Sequence, residues 1–339
     1  MSKKKKIVVI GGGTGVSVLL SGLKRYHLDL TAIVTMFDSG GSSGKLRAEL
    51  GIAPVGDIRQ CLVTLSPKNK KDLSDLFNYR FETGSWLKGH NLGNLLIAGA
   101  TKIAGSLQGG INKIIKILNI KSRIEIFPIS LENADIVARL KDSREIKGEE
   151  NIINCAYLSK IGINKLYLNP EVKVNQNAIS AIEKADLIIF APGKFYTSIL
   201  PNLLVKRVPR AIRRSRAEKV FVCNLMTQVR NTDGFSVGDF LNILEKYLGK
   251  GAIDYVIFNT GKLSSRKLKK VKNILPKADF VKYNKDLLSN KNYIGADILD
   301  KNIHRLNPFD TLIKGANQRT MVFHDSKKLA KIILKLCKR

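Results

Sequence analysis

Apolar residues fall into short continuous runs separated by amphipathic stretches, and the alternation starts near the N-terminus. Ile7–Ile10 is a β-branched run that passes into glycines at 11–15 and then an amphipathic stretch from Val16 to Tyr26. That order predicts strand, glycine turn and helix. Leu30–Phe37 is a second apolar run, and it ends at Asp38. A glycine loop followed about 20–25 residues later by an acidic strand end is the spacing of a dinucleotide-type βαβ unit. Helices are expected at Asp57–Leu65, Asp72–Arg80, Gly93–Ala104 and within Ile111–Leu118.

The period changes over residues 124–168. RIEIFPIS, ADIVARL, REIKGEENI and NKLYL are short alternating runs with a KDS turn at Lys141–Ser143, which predict an antiparallel hairpin inserted in an α/β body. After Pro170 helix and strand alternate again. Helix Asn177–Lys184 precedes ADLIIF (185–190), helix Pro209–Arg216 precedes KVFVCNL (219–225), and helix Val237–Leu248 precedes AIDYVIFN (252–259). A last helix, Ser326–Lys338, has Asp325 as its cap. Strands apolar throughout and separated by helices argue for a mostly parallel sheet covered on both faces. No internal repeat or low-complexity linker interrupts the pattern, so residues 1–339 read as one α/β domain with 124–168 inserted.

Composition narrows the class. At 44% hydrophobic over 339 residues a sizeable core can form, but no apolar run approaches the ~20 residues of a membrane helix. The basic head MSKKKK is followed by four apolar residues before the glycines, against about seven or more in a secretory segment, so a cytoplasmic protein is expected. Cys61, Cys155, Cys223 and Cys337 form no CxxC pair and read as free thiols, inert rather than catalytic. His27, His90, His304 and His324 show no metal-ligand spacing. The net charge of +30 favours anionic partners. It thickens at Lys206–Arg216, Lys262–Lys277 and the C-terminus, without interleaved aromatics or any helix-turn-helix or finger spacing. A solvated lysine-rich surface therefore outweighs specific nucleic-acid recognition.

The candidate chemistry lies in loops that follow apolar strands, where ligands bind in doubly wound sheets. GGGTG, with Gly12, Gly13, Thr14 and Gly15, can bring backbone N–H groups to a phosphate at a helix N-terminus. It misses G-x-G-x-x-G, because Val16 or Val18 stands at the third glycine, so a tight strand-to-helix turn is the alternative. MFDSGGSSGKLR (36–47) resembles a P-loop but has Ser39 for the first glycine and Leu46 for the Mg²⁺-binding hydroxyl. It retains a flexible nest of donors at Gly40 and Gly41, hydroxyls at Ser42 and Ser43, cations at Lys45 and Arg47, and Asp38. Asp38 suits a ribose hydroxyl, Mg²⁺, a base role or a turn cap. In GDIRQCL, Asp57 reads as a helix N-cap, while Arg59 in the first turn opposes the helix dipole and suggests a bound anion. KGHNLGNLL sets His90, Asn91 and Asn94 at a helix start, where Asn91 can be a cap and an isolated histidine is usually structural. APGKFYTS offers Gly193, Lys194, Tyr196, Thr197 and Ser198, and NLMTQ offers Asn224, Thr227 and Gln228 for a base or sugar. No Ser-His-Asp order or paired-carboxylate spacing is evident.

Taken together, IVVIGGGTG, DSGGSSGKLR, GDIRQCLVTLS, GHNLGNLL, APGKFYTSILPNLLV and VFVCNLMTQ resemble the gluconeogenesis factor (YvcK-type) family. That family shares a superfamily with the CofD-type 2-phospho-L-lactate transferases. The similarity runs in order from Ile7 to about Met226, then more loosely through TDG (232–234), AIDYVIFNTG and HDSKKLAKIIL. It implies a Rossmann-like α/β fold with a deep cleft. It also implies one of two activities. The first is a nucleotide-sugar-binding regulator of the UDP-N-acetylglucosamine type, linked to cell-wall synthesis, cell shape and gluconeogenic growth. No cofactor is required for it, no reaction is established, and a homodimer is compatible with it. The second is Mg²⁺-dependent phospholactyl transfer from a guanosine diphospho-donor to the deazaflavin Fo. There Asp38 would hold Mg²⁺ or deprotonate the acceptor, and Lys45, Arg47 and Arg59 would neutralise the phosphate. Ser39 stands where the family usually has a second aspartate, and Ala191, Lys194 and Phe195 replace the glycine, serine and leucine of GPGSLYTS. Both departures favour binding over metal-assisted transfer.

Overall fold

The computed structural model describes residues 4–67, 69, 71–303 and 322–338, so that His304 lies outside the described residues. Seven strands form one sheet: β1 (Lys6–Gly11), β2 (Asp29–Val34), β3 (Ile124–Pro128), β7 (Leu187–Phe190), β8 (Glu218–Val222), β9 (Tyr255–Asn259) and β10 (Tyr293–Ala296). Their order is β10–β9–β8–β7–β1–β2–β3, and every pairing is parallel. The chain steps outward from β1 to β3, then returns to lay β7 on the other side of β1. Loops leaving β1 and β7 therefore diverge and open a crevice at the C-terminal end of the sheet.

Residues of β1 alternate between two cores: Ile7 and Val9 face one layer, Val8 and Ile10 the other. Burial on both faces is why the strand reads as a continuous apolar run. On the first layer, α1 (Gly13–Leu23) packs on α3 (Gly56–Leu65) and on α14 (Ser326–Leu336). Asp325 caps α14 by accepting from Lys327 N–H at 2.9 Å and Lys328 N–H at 3.0 Å. No described helix is long and apolar enough to cross a membrane.

The alternating stretch 124–168 divides between two sheets. Ile124–Pro128 is the edge of the main sheet, parallel to β2, and alternates because only one of its faces is well covered. β4 (Asp135–Leu140), β5 (Glu145–Lys147) and β6 (Ile163–Asn169) form the separate antiparallel sheet, ordered β5–β4–β6, so the expected hairpin is three-stranded and starts after β3. The KDS turn joins β4 to β5.

Residues 38–47 correct the expectation of a flexible loop. They turn at Gly41, whose φ of +58° suits glycine, into α2 (Gly41–Leu50). The buried face of α2 carries Ser42, Ser43 and Leu46, so it shows no apolar stripe to read. Helix α1 likewise starts at Gly13, inside GGGTG, rather than at Val16. A Cβ on Gly15 would stand 1.6 Å from the Pro192 carbonyl oxygen, so this glycine lets the β7 loop close over α1. Gly15→Ala is expected to cost at least about 1–3 kcal/mol, as overpacking does. Its urea midpoint checks this, and an unchanged midpoint would show that the two loops separate freely.

Candidate functional site

A cavity of about 450 Å³ occupies the crevice. One end is built from the glycine turn, the start of α2 and the loop after β7. The other end is walled by Met226, Val229, Leu275, Ala278 and Val322, with Asn224, Thr227, Gln228 and His324 among them. The cavity is thus polar and charged toward β2, and largely apolar toward β8.

Three carboxyls and one ammonium dominate the polar end. Glu149, in the first turn of α7 (Glu149–Asn154), is 5% exposed and lies 2.9 Å from Lys194 Nζ. Its carboxylate also accepts from Ser39 N–H at 3.4 Å and is hydrogen-bonded to Asp38. Burial pushes Glu149 up, but the Lys194 charge and these hydrogen bonds outweigh it and hold its pKa near 2. Asp38 moves the other way: burial and the Glu149 charge raise it well above the carboxylate range. The two carboxyls therefore titrate as a coupled pair in which Glu149 gives up its proton more readily than Asp38. Lys194 keeps 44% of its side-chain surface open. That opening is the concave cleft, where solvent screens the charge only in part.

Asp57 is the third carboxyl. Expected as the N-cap of its own helix, it instead lies one residue inside α3, whose N-cap is Val55. Its carboxylate accepts from Gly13 N–H and so serves the N-terminus of α1. A Cβ on Gly13 would lie 2.6 Å from Asp57 Oδ1, so the glycine makes room for a carboxylate of the same chain. Burial and the Glu149 charge raise Asp57 to about 6.

The glycine turn, Asp38, Gly40, Gly41, Ser42, Ser43, Asp57, Arg59 and Asn94 all line the cavity. So do Gly193, Lys194, Thr197, Ser198, Asn224, Thr227 and Gln228. Many of their polar atoms are already engaged. Ser42 Oγ accepts from Asn91 N–H (3.3 Å) and from Asn94 Nδ2 (3.2 Å), tying α2 to α5 (Leu92–Ala104). Arg59 needs no bound anion to explain it, since it donates to Asn94 Oδ1, the Phe77 carbonyl and Asn78 Oδ1. Five predicted residues do not line the cavity. Lys45 is exposed on α2 and Arg47 pairs with Asp135 at 3.0 Å, so neither is placed to neutralise a phosphate there. His90 is buried beside Ser42, Asn91 caps α5, and Tyr196 packs on Phe195 and Phe235. Cys61, Cys155, Cys223 and Cys337 are free thiols, and none lines the cavity.

Sequence reasoning missed Glu149 and His324. Glu149 reaches Asp38 from 111 residues away, so no local spacing could reveal the carboxyl pair. It supplies the second acid whose absence at Ser39 had argued against chemistry. Among the described residues no set of three or more His, Cys, Asp or Glu is placed to hold a metal ion. Asp38, Asp57 and Glu149 instead act together on the ammonium of Lys194.

A parallel α/β sheet with its cleft at the strand reversal defines the class. The chain belongs to the family described as 2-phospho-L-lactate transferase CofD, which matches residues 7–303. A Thermotoga maritima relative is 40% identical over 330 residues, covering 97% of this chain and 98% of its own. The gluconeogenesis factor of Halalkalibacterium halodurans is 44% identical over 258 residues, 75% of this chain and 77% of that protein. The gluconeogenesis factor of Bacillus subtilis is 41% identical over 263 residues, 77% and 80%. The crystal structure of a UPF0052-family protein from Bacillus halodurans superposes with a TM-score of 0.86 at 36% identity, covering 98% of this chain and all of that one. The family expected from the motifs is the family found.

The raised pKa of Asp57 sets a stability profile. The folded state holds the proton more tightly than the unfolded chain, so stability is fully present below the unfolded pKa near 4. It then falls as pH rises toward about 6. Asp57→Asn keeps an acceptor for Gly13 N–H without the charge, and is expected to be more stable than the parent at pH 7 and no more stable at pH 4. Urea midpoints at the two pH values check this, and a variant less stable at pH 7 would show that the carboxylate stabilises α1.

Proposed function

We propose that the protein binds a nucleotide diphosphate-sugar of the UDP-N-acetylglucosamine type and acts as a regulator of gluconeogenic carbon use, cell-wall synthesis and cell shape. The observation that carries this is the polarity of the cavity at the C-terminal end of the sheet. At its β2 end the first-turn N–H groups of Gly41, Ser42 and Ser43 have no intrahelical acceptor, and α2 has no side-chain cap. With the Lys194 ammonium they suit a diphosphate. The β8 end, apolar with a few polar groups, suits a base, and the volume falls in the range of small-ligand sites. Asp57 already serves the N-terminus of α1, so the glycine turn contributes shape, and α2 with Lys194 contributes affinity for the anion. The relatives named gluconeogenesis factor support the regulatory role.

Calorimetry tests the binding. UDP-N-acetylglucosamine is expected to release heat in a saturable titration. The double variant Glu149→Gln/Lys194→Met, which keeps the pair neutral, is expected to bind about tenfold more weakly or worse. Absence of heat with any UDP-sugar at millimolar concentration would overturn the proposal.

The family match favours one further reading, phospholactyl transfer to Fo. Incubation with the guanosine donor, Fo and Mg²⁺ followed by mass spectrometry decides it, since a phospholactyl-Fo product would make this chain an enzyme and its absence would leave the binding role.

A further inference from the structure

We infer that His324 selects the ligand's base, accepting at Nδ1 the ring N–H of a base in which that N–H stands beside a carbonyl, as in uracil and guanine. The inference rests on the nucleotide reading above and names the base that it admits.

His324 is 8% exposed and lines the β8 end of the cavity. Its Nε2 lies 3.1 Å from the carbonyl oxygen of Cys223, at the end of β8. A carbonyl only accepts, so Nε2 carries the hydrogen. Burial lowers the ring's pKa to about 4, which leaves it neutral at physiological pH. Nδ1 is then a bare lone pair, and no donor among the described residues meets it.

The acceptor is held in place from several sides. His324 bridges to Leu299, Asp325 N–H donates to the Ile298 carbonyl at 2.8 Å, and the Asp325 carboxylate caps α14. A rigid unpaired acceptor next to apolar walls is costly empty and discriminating when filled, because a ligand without a matching donor leaves it unpaired. Met226, Val229, Leu275 and Ala278 offer those walls to the flat face of a base.

Two of the three polar groups expected to read the base are occupied. Asn224 takes the Gly193 N–H at 3.1 Å and donates to the Gly193 carbonyl at 2.7 Å. Thr227 makes the same reciprocal contact with the backbone of Asp279, at 3.2 and 3.3 Å. These two residues latch loops together, which leaves His324 and Gln228 to face the base. The side-chain amide of Gln228 lines the same end and can donate to the carbonyl that flanks the ring N–H.

Calorimetric titration of UDP, GDP, CDP, ADP and N3-methyl-UDP tests the inference. UDP or GDP is expected to bind about tenfold or more tightly than CDP and ADP, and methylation at N3 is expected to remove the advantage of UDP. His324→Phe keeps the ring's bulk without the acceptor and is expected to bind UDP and N3-methyl-UDP alike. His324→Asn places an oxygen where Nδ1 stands and is expected to restore the preference, a rescue that a merely structural histidine would not show. UDP binding that His324→Phe and N3-methylation leave unchanged would overturn the inference while the nucleotide reading stands, as would tighter binding of CDP or ADP. No binding of any of these diphosphates would overturn both.

Discussion

The ion pair between Glu149 and Lys194 is the contact on which the cleft depends. It joins α7, which links β5 to β6, to the loop after β7, and through Asp38 and Ser39 it joins both to the loop after β2. A buried carboxylate survives only when its charge is answered and its oxygens are hydrogen-bonded. Glu149 meets both needs with groups drawn from loops far apart in the chain. The crevice that the strand reversal opens between β1 and β7 thereby gains a floor of fixed charge.

Most of the fold was legible because its strands are buried on both faces. Runs such as Ile7–Ile10 and Leu187–Phe190 have no polar side to confuse the pattern, and helices such as Val237–Leu248 present a regular apolar stripe. Reading failed where burial follows another chemistry. The inward face of α2 is two serines bonded to Asn94, so it imitates a loop. β3 alternates as an edge strand and so imitated the inserted hairpin.

The site was legible as a set of loops but not as a set of contacts. Glycines, hydroxyls and carboxylates at strand ends line one cleft. What each touches was beyond reach, since the deciding partners are remote: Glu149 for Asp38, Gly13 for Asp57, Cys223 for His324. Several groups that looked free for a ligand hold neighbouring loops instead, and the carboxylate thought to be missing arrives from another segment.

Asp57 at the head of α1 means that this cleft rests with an anion of its own in place. On the proposed reading, a diphosphate entering beside it brings two further negative charges to a region that already carries Glu149 and Asp57. Adding charge of that sign makes every nearby carboxyl a stronger proton acceptor. Occupancy of the cleft by such an anion is then coupled to proton uptake from the medium, so that its affinity falls as pH rises through the titration of these carboxyls.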